Sequence, residues 1–285
     1  MSPSPTAATR VACIIGWPAA RSLSPVIHNA AFAAAGLDWV YVAFGVAPDG
    51  LAPAVAGIRA LGIAGANVTM PHKQAVLSLL DDVSPEAARI GAVNTIVNDD
   101  GRLTGYNTDG AGFMNFLTLD AGVDPSGAGV LLLGAGGAAR ALAFALAEAG
   151  ARVTVAARNQ DAAARVAAAA GGTAAAWDER ADAARAATVI VNATPVGSDG
   201  AGPVVDAEAI APGATVVDLI YAPASTPLLA AAEARGAAAF NGAGMLIHQA
   251  ALSFERWTGT PAPLDAMRDA MRAAAKSASG HESIA

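Results

Sequence analysis

Short apolar runs alternate along this chain with longer stretches at helical spacing, and the alternation occurs twice. VACIIG (residues 11–16) reads as a short buried strand. Ser24 and Pro25 read as an N-cap followed by Pro at N1, opening a helix that stops at Gly36. WVYVAFGV (39–46) is a strand, 49–62 a helix and AGANVT (64–69) a strand again. Pro71 is expected to open another helix, ending near Asp81 and Asp82. AVNTIVNDDGRLTGYN (92–107) is a hairpin with its turn at Asp99, Asp100 and Gly101. A helix from about 109 to 121 then leads into GVDPSGAG (122–129), a Gly/Pro/Ser stretch that marks a domain junction.

The second alternation starts at GVLLLGAGGAARALAFALAEAGARVTVAAR (129–158), which is strand, glycine turn, helix and strand, a βαβ unit. Further strands are expected at ATVIVNAT (187–194), ATVVDLIY (214–221) and GAAAFNG (236–242). The Ala-rich segment 162–176 reads as a biased helix. Residues 243–278 carry helical spacing broken by GTPAP (259–263), and the tail 277–285 is expected to fray. The pattern is that of an α/β protein with two lobes joined near 110–128, and a cleft between such lobes is a usual place for a small ligand.

Composition narrows what that ligand is. The formal net charge is −7 and no basic run exists, so a nucleic-acid or anionic-membrane partner has no electrostatic footprint. An anionic ligand must therefore be held locally by a few donors. Cys13 is the only cysteine, which excludes an internal disulfide and favours a reducing compartment. The first ten residues lack an apolar signal core, so a cytoplasmic location is expected. No spacing among His, Asp, Glu and Cys suggests a metal.

The glycine turn carries the first chemistry. GAGGAA (134–139) fits G-x-G-x-x-[G/A]: Gly134 allows the tight turn, Gly136 lets the backbone approach a pyrophosphate, and Ala139 lets helix and strand pack. The backbone of Gly134, Ala135, Gly136, Gly137 and Ala138 would then cradle a dinucleotide at a helix N-terminus. A carboxylate at the end of the second strand would bind ribose hydroxyls, whereas an Arg accommodates a 2′-phosphate. Here VTVAAR ends in Arg158 with no carboxylate beside it, which favours NADP and leaves NAD open.

With that in place, SLSP, NVTMPHK, GAVNTIV and GYNTDG, followed by GAGGAAR, VNATPVG, YAP..TPLL and NGAGMLIHQA, closely resemble the shikimate dehydrogenase family. The motifs keep the family's order over about residues 13–257. The resemblance implies nicotinamide-dependent, reversible reduction of 3-dehydroshikimate to shikimate, a step toward the aromatic amino acids. It implies a substrate lobe, residues 1–110 rejoined by 246–285, and a Rossmann NADP-binding lobe, 111–245. It also implies Lys73 and Asp109 as the catalytic pair, and Gly242 beside the nicotinamide ring. Hydride delivery to a ketone builds negative charge on oxygen, which Lys73 can stabilise and protonate, while Asp109 holds and tunes the ammonium. His72 takes no role.

The remaining polar residues suit a small carboxylated polyol. Ser22 and Ser24, two apart, both point one way if extended and can donate to the carboxylate. Asn67 and Thr69 share a face at a strand end, and Asn94 and Asp109 sit at the ends of segments returning to one rim. Gln249 supplies an amide and Tyr221 a phenol. The match is imperfect at the cofactor. NADP-using relatives carry a second basic residue where this chain has Ala162, and only Arg165 along the helix stands near enough to substitute. Ser24 favours shikimate over quinate, yet MPHKQ and IVNDDG.L.GYNTDG resemble the dual quinate/shikimate branch. An aminoshikimate role and a non-catalytic dinucleotide sensor also stay open, as do a monomer and a homodimer.

Overall fold

The computed structural model describes residues 4–20 and 22–281. Two compact units emerge: residues 1–108 with 246–285, and residues 109–245. The first unit contains β1 (Arg10–Gly16), α1 (Ser24–Ala34), β2 (Trp39–Gly45), α2 (Leu51–Ala60), β3 (Gly65–Val68), β4 (Asp82–Val83), α3 (Pro85–Ile90), β5 (Thr95–Asp99) and β6 (Arg102–Tyr106). Its sheet runs β2-β1-β3-β5-β6-β4, with β1 parallel to both neighbours and the β5–β6 hairpin antiparallel. Asp100 (φ 46°) and Gly101 (φ 92°) make the two-residue turn of that hairpin, as the twist of antiparallel strands requires. Cys13, Ile15, Ala66, Val68, Ile96 and Leu103 pack with Leu51, Val55 and Ile58 of α2.

The second unit follows with α4 (Asp109–Asn115), which runs on as a π-helical turn Phe116–Asp120. Then come β7 (Gly129–Leu133), α5 (Gly137–Glu148), β8 (Arg152–Ala156), α6 (Gln160–Ala169), β9 (Thr173–Ala175), α7 (Arg180–Arg185), β10 (Val189–Asn192), β11 (Thr215–Asp218), α8 (Pro227–Ala234) and β12 (Ala238–Asn241). All six strands are parallel in the order β12-β11-β10-β7-β8-β9. The near-continuous apolar strands have their reason here, since both faces are covered. Val130, Leu132, Val155 and Val191 pack with Phe113, Leu142 and Leu146, while Leu131, Leu133, Ile190 and Val216 pack with Leu228 and Leu229 on the other face. Each such side chain contributes about 1.5–3 kcal/mol by leaving water.

Finally α9 (Ala243–Thr258) carries the chain back into the first unit, and α10 (Leu264–His281) packs there against α1. Among the described residues no helix is long and apolar enough to cross a membrane.

Four local expectations change. No α-helix opens at Pro71; the segment is a turn with a 3-10 stretch, Ala75–Leu79. The carbonyl of Lys73 accepts from Val93 N–H (2.7 Å), and Leu77 N–H goes to the Gln74 carbonyl rather than to that of Lys73. Ser24 is not an N-cap: Leu23 holds that place in αR geometry without a side-chain cap, and Ser24 is the first helical residue. The Ala-rich helix ends at Ala169, and Gly171 (φ 65°) turns the chain into the edge strand β9. The tail 277–285 keeps a helical backbone through His281, and its last four residues lie outside the described residues.

Candidate active site

Three predicted site residues of the first unit, Asn67, Asn94 and Gln249, meet in one buried hydrogen-bond network. Tyr41, on β2, donates from its phenol to Asn67 Oδ1 at 2.6 Å, and the buried Ser24 side chain stands beside that phenol. The Asn67 Nδ2 group faces Asn94 O (3.1 Å), Ser253 Oγ (3.0 Å) and Thr95 Oγ1 (3.3 Å). Asn94 in turn takes the Thr108 N–H on Oδ1 (2.8 Å) and donates from Nδ2 to Thr108 Oγ1 (2.9 Å) and Gln249 Oε1 (3.3 Å). Thr108 Oγ1 donates to the Gln249 carbonyl (3.0 Å), tying the strand ends to α9. Ser24, Asn67, Asn94 and Gln249 are all buried, so each amide must be satisfied by the protein or by a ligand.

Ser22 and Ser24 do not lie on an extended segment. Because the helix begins at Ser24, the half-buried Ser22 accepts the Ser24 N–H on its Oγ (3.3 Å). Thr69 follows β3, its N–H on Ile15 O (3.0 Å) and its methyl over Gly16. A Cβ at position 16 would stand 2.2 Å from Thr69 Cγ2, so only glycine admits this packing. Lys73, half-buried, is anchored through its carbonyl one residue before Asn94, by Val93. His72 is buried and its Nε2 lies 2.7 Å from Val46 O, which fixes that nitrogen as the donor. Asp109 directly follows Thr108, is 3% exposed, and is the first residue of α4. A carboxylate is favoured at a helix N-terminus.

In the second unit the strand order reverses between β7 and β10, and ligands of open parallel sheets bind at the carboxyl ends of such a pair. Gly134 (φ 115°) sits there; a Cβ on it would stand 2.8 Å from Ala193 O. After the half-buried Ala135, Gly136 is exposed, caps α5 without a side-chain bond, and has nothing within 4 Å of a Cβ placed on it. Gly137 and Ala138 open the helix, whose first N–H groups have no intrahelical partner. An open backbone, free donors and a helix N-terminus fit a diphosphate. Arg158 is exposed just past β8, and Asn159 beside it caps α6 by accepting from Ala162 N–H (2.9 Å). Arg165 is exposed on α6.

The carboxyl ends of β11 and β12, at the same end of the sheet as the glycine turn, lead to Tyr221 and Gly242. Gly242 admits no side chain, because a Cβ would fall 2.1 Å from Leu219 O. Tyr221 is half-buried on the loop after β11. That loop is tied down by Asp218, which accepts from Asn192 Nδ2 (3.0 Å), Ile220 N–H (3.1 Å) and Thr226 Oγ1 (2.7 Å). Burial pushes the Asp218 carboxyl up, against the pull of those donors.

Tyr41, Thr95, Thr108 and Ser253 have no place among the residues singled out from sequence, yet they join those residues together. Ser253 lies one helical turn beyond Gln249, an i, i+4 relation that the Gln249 position makes readable. Tyr41 lies in an apolar strand and gives no such cue. Among the described residues no group of three or more His, Cys, Asp or Glu is placed to hold a metal.

Known proteins match the chain along most of its length. The shikimate dehydrogenase substrate binding domain matches residues 14–96, the shikimate/quinate 5-dehydrogenase model residues 120–213, and the shikimate 5′-dehydrogenase C-terminal domain residues 242–272. A shikimate dehydrogenase (NADP(+)) of Citrifermentans bemidjiense is 49% identical over 281 residues, covering 94% of this chain and 96% of that protein. A shikimate dehydrogenase solved with NADP+ superposes with TM-score 0.89 at 39% identity, covering 95% of this chain and 97% of that one. The Thermus thermophilus shikimate 5-dehydrogenase, solved with NADP(H) and shikimate, gives 0.87 at 40% identity over 93% of this chain and 100% of that one. With its motifs, its two sheets and these relatives in agreement, the chain belongs to the shikimate dehydrogenase family.

Proposed function

We propose that this protein interconverts shikimate and 3-dehydroshikimate with NADP, using Lys73 and Asp109 as the pair that manages the proton. Relatives named for that NADP-dependent activity match nearly the whole chain, and one solved relative holds both NADP(H) and shikimate. The observation that carries the reading is the junction of Asn94, Thr108 and Gln249. It sets two amides side by side at the residue that precedes Asp109.

In this reading residues 1–110 with 246–285 bind the substrate and 111–245 bind the cofactor. Bound NADP supplies the acceptor or donor of hydride. Asn67, Thr69, Asn94, Gln249 and Tyr221 orient the ring hydroxyls, and Ser22 and Ser24 take the carboxylate end. In the reducing direction charge grows on the ketone oxygen, where the Lys73 ammonium stabilises it and gives up a proton. Asp109 holds that ammonium in place. Arg158 takes the 2′-phosphate as a charge-assisted contact, with the glycine turn under the diphosphate.

The test is the appearance of reduced cofactor by absorbance, with shikimate and with quinate, each with NADP+ and with NAD+. Shikimate with NADP+ is expected to give the highest kcat/KM. A higher value with quinate or with NAD+ overturns the corresponding half of the assignment. Cofactor binding without turnover of either acid would make the protein a dinucleotide-binding relative on the same fold.

A further inference from the structure

The aromatic box beneath the polar network has no part in the reading above. His28 is fully buried on α1, and its ring stacks on that of Tyr41 with centroids 4.4 Å apart and planes 12° from parallel. Trp257 closes a second side, 5.1 Å from His28 and 6.0 Å from Tyr41, and its Nε1 is held by Ile96 O at 2.9 Å. Phe32 stands 6.2 Å from His28. Neither ring nitrogen of His28 has a hydrogen-bond partner.

What the box holds is one hydroxyl. The Tyr41 phenol, 1% exposed, is the point where the Ser24 side chain and the Asn67 amide meet. An amide can rotate by half a turn at little cost unless its two ends face different partners. Asn67 is so constrained: acceptors surround Nδ2, and the Tyr41 O–H points at Oδ1. Without that O–H, a buried carbonyl oxygen loses its donor and the amide loses the group that reads its orientation.

Building on the proposed function, we infer that Tyr41 is a positioning residue for substrate: its phenol, stacked on the His28 ring, sets the orientation of the Asn67 amide. Tyr41 touches no reacting atom in this account. Its effect must pass through Asn67, which makes it separable from a purely structural role.

Tyr41→Phe keeps the ring and the stack and removes only the hydroxyl. In the full-length enzyme the expected result is a rise of roughly 10-fold in KM for shikimate, the scale of a buried acceptor left without its donor. KM for NADP+ stays within about 2-fold, and the melting temperature falls by only a few degrees, since the same lost donor costs stability. In an Asn67→Ala background the same substitution should have less than half of that effect, since coupled residues are not additive. An unchanged KM for shikimate, equal rises in both KM values, or a full effect without Asn67 each overturns the inference. A second readout does not need turnover: the side-chain amide signals of Asn67 in a 15N-labelled sample, assigned by their loss in Asn67→Ala, should shift in Tyr41→Phe. If they stay put, Tyr41 does not set the amide, whatever the activity. If they shift in a protein that does not oxidise shikimate, the positioning role stands and the proposed function fails.

Discussion

Lowering the pH from 7 to 5 should destabilise this protein through a single buried ring, His28. Desolvation pushes the His28 pKa down from 6.5 to about 3, with the nearby Asn67 side chain opposing the shift. The folded state thus keeps His28 neutral at pH 5, whereas the unfolded chain has bound a proton there. Stability is fully present above 6.5 and is lost as the pH falls toward 3. Between pH 7 and pH 5 the loss from this one group is about 2 kcal/mol, and the gap between 6.5 and about 3 limits the total to about 5 kcal/mol. The assay is urea unfolding at both pH values, followed by tryptophan emission, because three of the four tryptophans (Trp17, Trp39 and Trp257) lie in the first unit. His28→Gln is the comparison, since it cannot titrate. Its own stability does not matter; only the difference between its two pH values does. The parent should lose about 2 kcal/mol more than the variant over this interval. Equal losses would refute the reasoning, as would a His28 proton signal that titrates near 6.5 in the folded protein.

Three further outcomes follow from the site and the core. Lys73→Ala should lower kcat by roughly 100-fold or more with a much smaller change in KM, and the double variant with Asp109→Asn should fall well short of additivity; a pure KM effect in steady-state kinetics would make Lys73 a binding residue only. Arg158→Ala should remove most of a preference for NADP+ over NAD+ of roughly 10- to 150-fold, worth about 1.5–3 kcal/mol, and raised salt should weaken NADP+ binding more than NAD+ binding. Gly65→Ala should lower the melting temperature with a loss of about 1–3 kcal/mol, because the new methyl would lie 2.2 Å from Trp257 Nε1; an unshifted unfolding curve would show that the indole moves aside.

Most of the second unit is legible in the sequence because a parallel sheet needs apolar strands and a glycine turn in fixed order. Leu131 and Leu133 on one face and Val130 and Leu132 on the other show why no polar alternation marks those strands. The segment after Thr69 misleads because a Pro and a run of Ala, Val and Leu look helical locally, while a remote donor, Val93 N–H, takes the Lys73 carbonyl. Ser24 misleads for a related reason: Ser before Pro suggests a cap, and nothing local says that the helix starts one residue earlier. Of the site, the amides and the lysine stand out as polar residues in apolar surroundings. Tyr41 and Thr95 do not, since aromatic and β-branched residues are what a strand is made of, and only pairing across the sheet brings them to Asn67.

The return of α9 and α10 to the first unit has a consequence for the order of assembly. Residues 109–245 form an uninterrupted stretch, so the second unit has its whole core in hand while residues 246–285 are still to be made. The first unit, although synthesised earlier, still lacks Gln249 and Ser253 for its polar network, Trp257 against His28 and Tyr41, and α10 against α1. Domains ordinarily fold as units from the N-terminus; here the unit that begins the chain is the one that closes last. Until it closes, Asn67 and Asn94 keep unsatisfied polar groups and the face of Tyr41 stays uncovered. The first unit thus comes into being only once the residues that follow the second unit have been made.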